Sequence, residues 1–144
     1  ISENYVTLSE DQRAREIERF QQAGFTVIYE FGRKNPERPM NVGELSAMVE
    51  WAADRGGEHV IVEQSEIDAL EKVAPGALAQ VRTERWFERV LIEVDPYRFP
   101  QQHAKMIAEY GTEVNLANVT AGQVLRLEGL RRGIGRAVDY SLFR

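Results

Sequence analysis

A chain of 144 residues, with 43% hydrophobic and 28% charged side chains, can bury a sizeable core and reads as one globular α/β domain spanning residues 1–144. The absence of cysteine excludes disulfides, thiolate metal sites and cysteine nucleophiles, and a net charge of -5 with both signs interspersed argues against a nucleic-acid partner. No apolar run is long enough for a bilayer and no signal-peptide pattern opens the chain, so a cytoplasmic protein without a membrane partner is expected; its first residue is Ile1, so the native start is expected further upstream.

The first predicted element is a helix from about Ser9 to Ala23, with Ser9 and Gln12 at capping-box spacing and Gly24 as its stop. Phe25 to Phe31 is continuously apolar, the pattern of a strand covered on both faces. A basic turn, Gly32-Arg33-Lys34-Asn35-Pro36, leads to a second helix from about Asn41 to Arg55, again with a capping box, Asn41 and Glu44. Strand His59 to Glu63 is followed by a helical stretch from about Ser65 to Arg82, broken near Pro75-Gly76. Strand Arg89 to Val94 gives way to the loop Asp95–Phe99. Pro100 then opens a helix that Gly111 closes. Strand Val114 to Val119 precedes a final helix, Thr120 to Arg132, with Thr120 and Gln123 as a third capping box.

The apolar runs Val27–Glu30, Val60–Glu63 and Val90–Glu93 within three of the strands each end on glutamate, and the run Val114–Asn118 in the fourth ends on an amide. Strand ends are where parallel α/β folds place their chemistry. Consecutive βα units of roughly thirty residues predict half of a (β/α)₈ barrel. The competing architecture is a small doubly wound sheet, but no glycine-rich dinucleotide or phosphate loop follows any strand. Half of a barrel has open strand edges, here Phe25–Phe31 and Val114–Val119. Such a chain is expected to form a homo-oligomer or to associate with an N-terminal half.

The segment Gly24–Lys34, with its strand, Glu30 and the turn Gly32-Arg33-Lys34, resembles the strand and loop of phosphosulfolactate synthases, which usually read Glu-Val-Gly-Lys-Lys. Val60–Glu63, Gln101-Gln102, Val114–Val119 and Leu127-Glu128-Gly129-Leu130-Arg131-Arg132-Gly133 match further blocks of that family in order. The resemblance runs through nearly the whole chain. It implies a TIM-type barrel, a lyase adding sulfite to phosphoenolpyruvate with Mg²⁺ to give phosphosulfolactate, on the way to coenzyme M or sulfolactate. Only the second half of such a barrel corresponds to this chain.

The resemblance also places Lys34 at the lysine that would protonate the enolate carbon, a step a Lys ammonium suits because the addition builds negative charge. A loop lysine without a catalytic role is the alternative. Arg33 beside it is assigned to binding the small phosphorylated substrate. Glu30, Glu63 and Glu93 are hard oxygen donors suited to Mg²⁺, with ion pairing to rim arginines as the other reading. Asn115 and Asn118 would hydrogen-bond the substrate carboxylate or phosphate, or tie down the last βα turn. His59 is read as structural and His103, in the first turn of a helix, as solvated. The chain departs from the family pattern at Gln64-Ser65-Glu66, where an arginine suited to phosphate would stand at Ser65, and again at Gly133–Asp139. The alternative functions are a non-catalytic, stress-associated or scaffold relative of the same barrel, and another phosphoenolpyruvate or small-phosphate enzyme on this fold.

Overall fold

The computed structural model describes residues 1–2, 6–34 and 36–134, so Gly135–Asp139 of the C-terminal departure lie outside the described residues. Helices and strands alternate: α1 (Glu10–Gln22), β1 (Tyr29–Phe31), α2 (Val42–Ala53), β2 (Val60–Val62), α3 (Gln64–Val73), α4 (Ala77–Val81), β3 (Val90–Glu93), α5 (Gln101–Tyr110), β4 (Asn115–Ala117) and α6 (Val124–Arg131). The strands form a parallel sheet in the order β1-β2-β3-β4, the neighbour-to-neighbour order that successive βα units produce. This bears out the predicted α/β class and is consistent with part of a (β/α)₈ barrel.

The helix starts follow the sequence signals. At α1 the Ser9 hydroxyl accepts the Gln12 N–H (3.3 Å) while Gln12 Oε1 accepts the Ser9 N–H (2.9 Å). At α2 the same reciprocal pair joins Asn41 and Glu44 at 2.9 and 3.1 Å, and the Arg38 guanidinium beside Glu44 holds its carboxyl below the usual range. Thr120 and Gln123 form the third box, opening a 3-10 turn (Ala121–Gln123) that runs into α6. The break predicted near Pro75-Gly76 separates α3 from α4, with Gly76 in a left-handed conformation (φ 83°).

The chain divides into two compact units, Ile1–Leu91 and Ile92–Arg144, with the boundary inside β3. In the first, β1 and β2 pair with Tyr29 opposite Val60, Glu30 opposite Ile61 and Phe31 opposite Val62. Alternation therefore separates two faces. Tyr29, Val60 and Val62 are buried, and Tyr29 meets the Trp51 ring of α2 edge-on with centroids 6.0 Å apart. Glu30 and Ile61, on the other face, are only half-buried. The expectation that Phe25–Phe31 is covered on both faces is thus corrected. Phe25 is 63% exposed, packing edge-on against Phe20, and Ile28 is 38% exposed. The outer edge of β1 is not open either. The Ile1 nitrogen donates to Ile28 O (2.6 Å), Glu30 N–H donates to Ile1 O (2.8 Å), and Ser2 forms a parallel bridge with Glu30.

In the second unit, Val94 and Ala104 are fully buried, and Ile92, Ile107, Val114 and Leu130 are buried as well. The first turn of α5 faces inward: Gln102, His103 and Ala104 are all buried. His103 is 0% exposed, which corrects its reading as a solvated side chain. Its ring lies edge-on to Phe99 at 4.8 Å between centroids. Burial pushes its pKa below the ordinary 6.5, against an opposing pull from Asp95. No helix of the described residues is long and apolar enough to cross a membrane.

Candidate active site at the strand ends

The return loop after β1 is fixed by the start of α3. Gly32 has φ 108°, a conformation that disfavours other residues, and it also has no room for a side chain: a Cβ there would stand 2.4 Å from Glu66 Cγ and 3.0 Å from Glu63 Cβ. This close approach lets the Glu66 carboxylate, 6% exposed, accept the N–H of Arg33 at one oxygen and that of Met40 at the other, both at 3.2 Å. Ser65 Oγ donates to the carbonyl of Arg33 at 2.5 Å. The exposed Lys34 is carried by this loop.

Arg33 is exposed and donates to Thr7 Oγ1 (3.2 Å). It lines a cleft of about 640 Å³ on the helix side of β1, with Arg13, Tyr29, Phe31, Met48 and Trp51. Arg13 stacks over both Tyr29 and Trp51 in this cleft, with its guanidinium 5.1 and 5.4 Å from the ring centroids. Neither Glu30 nor Lys34 lines it. Glu30 belongs to the opposite face of β1, where its Oε1 accepts the Ser2 hydroxyl at 2.9 Å. The predicted neighbours Arg33 and Lys34 therefore share a loop, and Arg33 lines a cleft that Lys34 does not.

Glu63, directly after β2, is 4% exposed and caps no helix N–H with its side chain. In the second unit Glu93 ends β3 half-buried, and its Oε1 accepts Asn118 Nδ2 at 3.0 Å. Asn118 has φ 65°, which its short polar side chain tolerates better than most. These two predicted site residues come together. Asn115 does not join them: it opens β4 and lines a separate cleft with Thr112, Glu128, Arg131 and Arg132. Three residues of strand place it about 10 Å from Asn118, at the end of β4 away from the βα turn. Among the described residues no three of His, Asp and Glu are grouped so that they could hold a metal ion. Glu30, Glu63 and Glu93 are thus not one three-carboxylate centre. A Mg²⁺ ion, which takes one or two carboxylates and keeps its waters, is compatible with the half-exposed Glu30 or Glu93 separately, and less so with the enclosed Glu63.

The residues that sequence reading missed here are Ser2, Ser65 and Glu66. Ser65 and Glu66 stood out only as part of a departure from a family pattern, and nothing in their spacing announces that they hold a loop thirty residues earlier. Gly32 was legible as a turn residue but not as the space a buried carboxylate fills.

Fold and strand-end chemistry define an α/β protein of parallel βα units with acids and one lysine at the strand ends. The model of the family (2R)-phospho-3-sulfolactate synthase (ComA) matches residues 1–136, so the chain belongs to that family. It is 29% identical over 145 aligned positions to the phosphosulfolactate synthase of Methanocaldococcus jannaschii, covering 93% of this chain and 56% of that protein. The phosphosulfolactate synthase of Methanothermobacter thermautotrophicus is 26% identical over 140 positions, covering 93% of this chain and 54% of the relative. The chain spans about half the length of these curated relatives.

Proposed function

We propose that this chain contributes the lysine-bearing half of an active site that adds sulfite to phosphoenolpyruvate, yielding phosphosulfolactate. The family match over residues 1–136 carries the reading, and the held loop presenting Lys34 at the end of β1 supports it. In the addition, the sulfur lone pair forms a bond to C3 of phosphoenolpyruvate. The C2–C3 π pair moves onto C2 and its carboxylate, and the Lys34 ammonium delivers a proton to C2, leaving the phosphate ester intact. Arg33 and Asn118 present N–H groups suited to phosphate or carboxylate oxygens. Asn115, at the far end of its strand, is retained only as an outer contact.

Glu30 and Glu93 are the carboxylates exposed enough to hold Mg²⁺ with its waters, while the buried Glu63 would have to be uncovered to do so. When bound, Mg²⁺ supplies positive charge to substrate oxygens. Association with a second copy of the chain, or with an N-terminal barrel half, completes the wall of the site in this proposal.

The deciding assay follows phosphoenolpyruvate consumption by the complete protein, including any N-terminal half that accompanies this chain, with and without sulfite, first with Mg²⁺ and then with excess chelator. Sulfite-dependent consumption that the chelator abolishes is expected. Consumption without sulfite would point to a different phosphoenolpyruvate reaction, and none at all to a non-catalytic relative.

A further inference from the structure

We infer that the first turn of α3 is a positioning device for Lys34, acting through Ser65 and the buried carboxylate of Glu66. The role given to Lys34 rests on the function proposed above, whereas the clamp itself rests on geometry alone.

Arg33 is held at both of its peptide planes. Its N–H donates to Glu66 Oε1 at 3.2 Å, which fixes the Gly32–Arg33 unit. Its carbonyl accepts from Ser65 Oγ at 2.5 Å, which fixes the Arg33–Lys34 unit. Because a peptide unit is planar and stiff, the second contact also fixes the Cα of Lys34. The far end of the segment is tied by the other oxygen of the same carboxylate, which accepts Met40 N–H at 3.2 Å.

One side chain therefore closes the chain from Arg33 to Met40, with each oxygen taking one N–H. At 6% exposure water competes little for either oxygen, and a negative charge in the first turn of α3 is favoured by the helix dipole. A neutral amide cannot substitute, since it has one acceptor oxygen and would turn its own N–H₂ toward the second N–H. A lysine ammonium sits on a long flexible stem, so a fixed Cα limits the volume it sweeps. Catalysis depends on holding the proton donor near the carbon it protonates. Loss of the clamp should thus lower kcat more than it raises KM.

The test uses the complete protein, including any N-terminal half that accompanies this chain, and three variants, Ser65→Ala, Ser65→Thr and Glu66→Gln, read by amide hydrogen exchange and by sulfite-dependent phosphoenolpyruvate consumption. Glu66→Gln should speed exchange at the Arg33 and Met40 amides at least tenfold while the Leu45 amide, inside α2, keeps its parent rate. Ser65→Ala should lower kcat at least tenfold, with a smaller rise in KM because Arg33 is loosened together with Lys34, and Ser65→Thr, which keeps the hydroxyl, should restore most of both. Parent exchange rates at Arg33 and Met40 in Glu66→Gln would overturn the clamp. Parent kcat in both Ser65→Ala and Glu66→Gln would overturn the positioning role. If Glu66→Gln fails to fold, Ser65→Ala and its threonine rescue decide alone. Fast exchange in Glu66→Gln combined with an inactive parent would leave the clamp standing and overturn the functional reading, and with it the role of Lys34.

Discussion

The end of β1 and the end of β3 both carry a half-buried glutamate, yet their turns are fastened by different means. After β1 the tie is Glu66, a carboxylate buried in the following helix and bonded to two backbone N–H groups. At β3 the strand-end Glu93 is itself part of the tie, accepting from the exposed Asn118. After β1 a separate residue holds the loop, so Lys34 takes no part in the tie. At β3 the strand-end acid and the anchor of the turn are one residue. The contrast teaches how each turn is held: after β1 by a buried carboxylate supplied from the next helix, at β3 by an exposed hydrogen bond between the strand-end residues themselves.

The largest effect that could break this contrast is kinetic. In an active parent, Lys34→Ala should reduce turnover by roughly 10²–10⁴-fold, the usual contribution of a positioned acid. Its melting temperature should stay within a few degrees, because an exposed loop lysine packs against little. Parent-like turnover would remove Lys34 from the mechanism and move attention to the second unit.

Next in size is Gly32→Ala. The new methyl would collide with Glu66 Cγ, and the backbone at φ 108° penalises any side chain. A left-handed residue and an overpacked contact together predict a loss of about 2–4 kcal/mol in urea unfolding. A loss below 1 kcal/mol would mean that the loop and α3 can separate easily, and the β1 turn would be no better held than the β3 turn.

At the other strand end, Asn118→Ala gives up an exposed hydrogen bond to a carboxylate and leaves alanine at φ 65°, predicting about 1–2 kcal/mol. Asn118→Gly removes the bond but relieves the backbone, so it should cost less. Equal losses would show that the backbone conformation contributes nothing, and a loss as large as that of Gly32→Ala would erase the difference between the two turns.

Much of the frame was legible in the chain because it is written locally. Ser9 with Gln12, Asn41 with Glu44 and Thr120 with Gln123 mark helix starts through bonds spanning three residues, and all three boxes form. Strand order follows from consecutive βα units. The strands themselves are shorter than their apolar runs, as only Tyr29–Phe31 of the first run pairs with β2, and Phe25 and Ile28 face outward while Val27 and Tyr29 are enclosed. What could not be read is long-range: Glu66 meeting Arg33 and Met40, Ser2 meeting Glu30, and the side of β1 toward which Arg33 leans. Lys34, Glu30 and Asn118 were found as types of residue at strand ends, while the partners that orient them depend on the packing of elements far apart in sequence. His103 failed for a related reason. A histidine in a first helical turn looks solvated unless one knows that this turn faces the core.

That histidine supplies the smallest and most local prediction, confined to the second unit. Burial lowers the folded-state pKa of His103 below its ordinary 6.5, with Asp95 pulling the other way. Below pH 6.5 the unfolded chain therefore binds a proton that the folded chain does not. Its contribution to stability is complete above that value and is lost progressively as the pH falls toward the folded-state pKa. At pH 5.5, one unit below the unfolded value, the loss from this single group can reach about 1.4 kcal/mol and no more. His103→Phe keeps an aromatic ring against Phe99 and removes the titration. Urea unfolding of the two proteins at pH 7.5 and 5.5 should thus show a smaller acid-induced loss in the variant. Identical losses would mean that His103 is as easily protonated folded as unfolded, and that water reaches the ring the fold encloses.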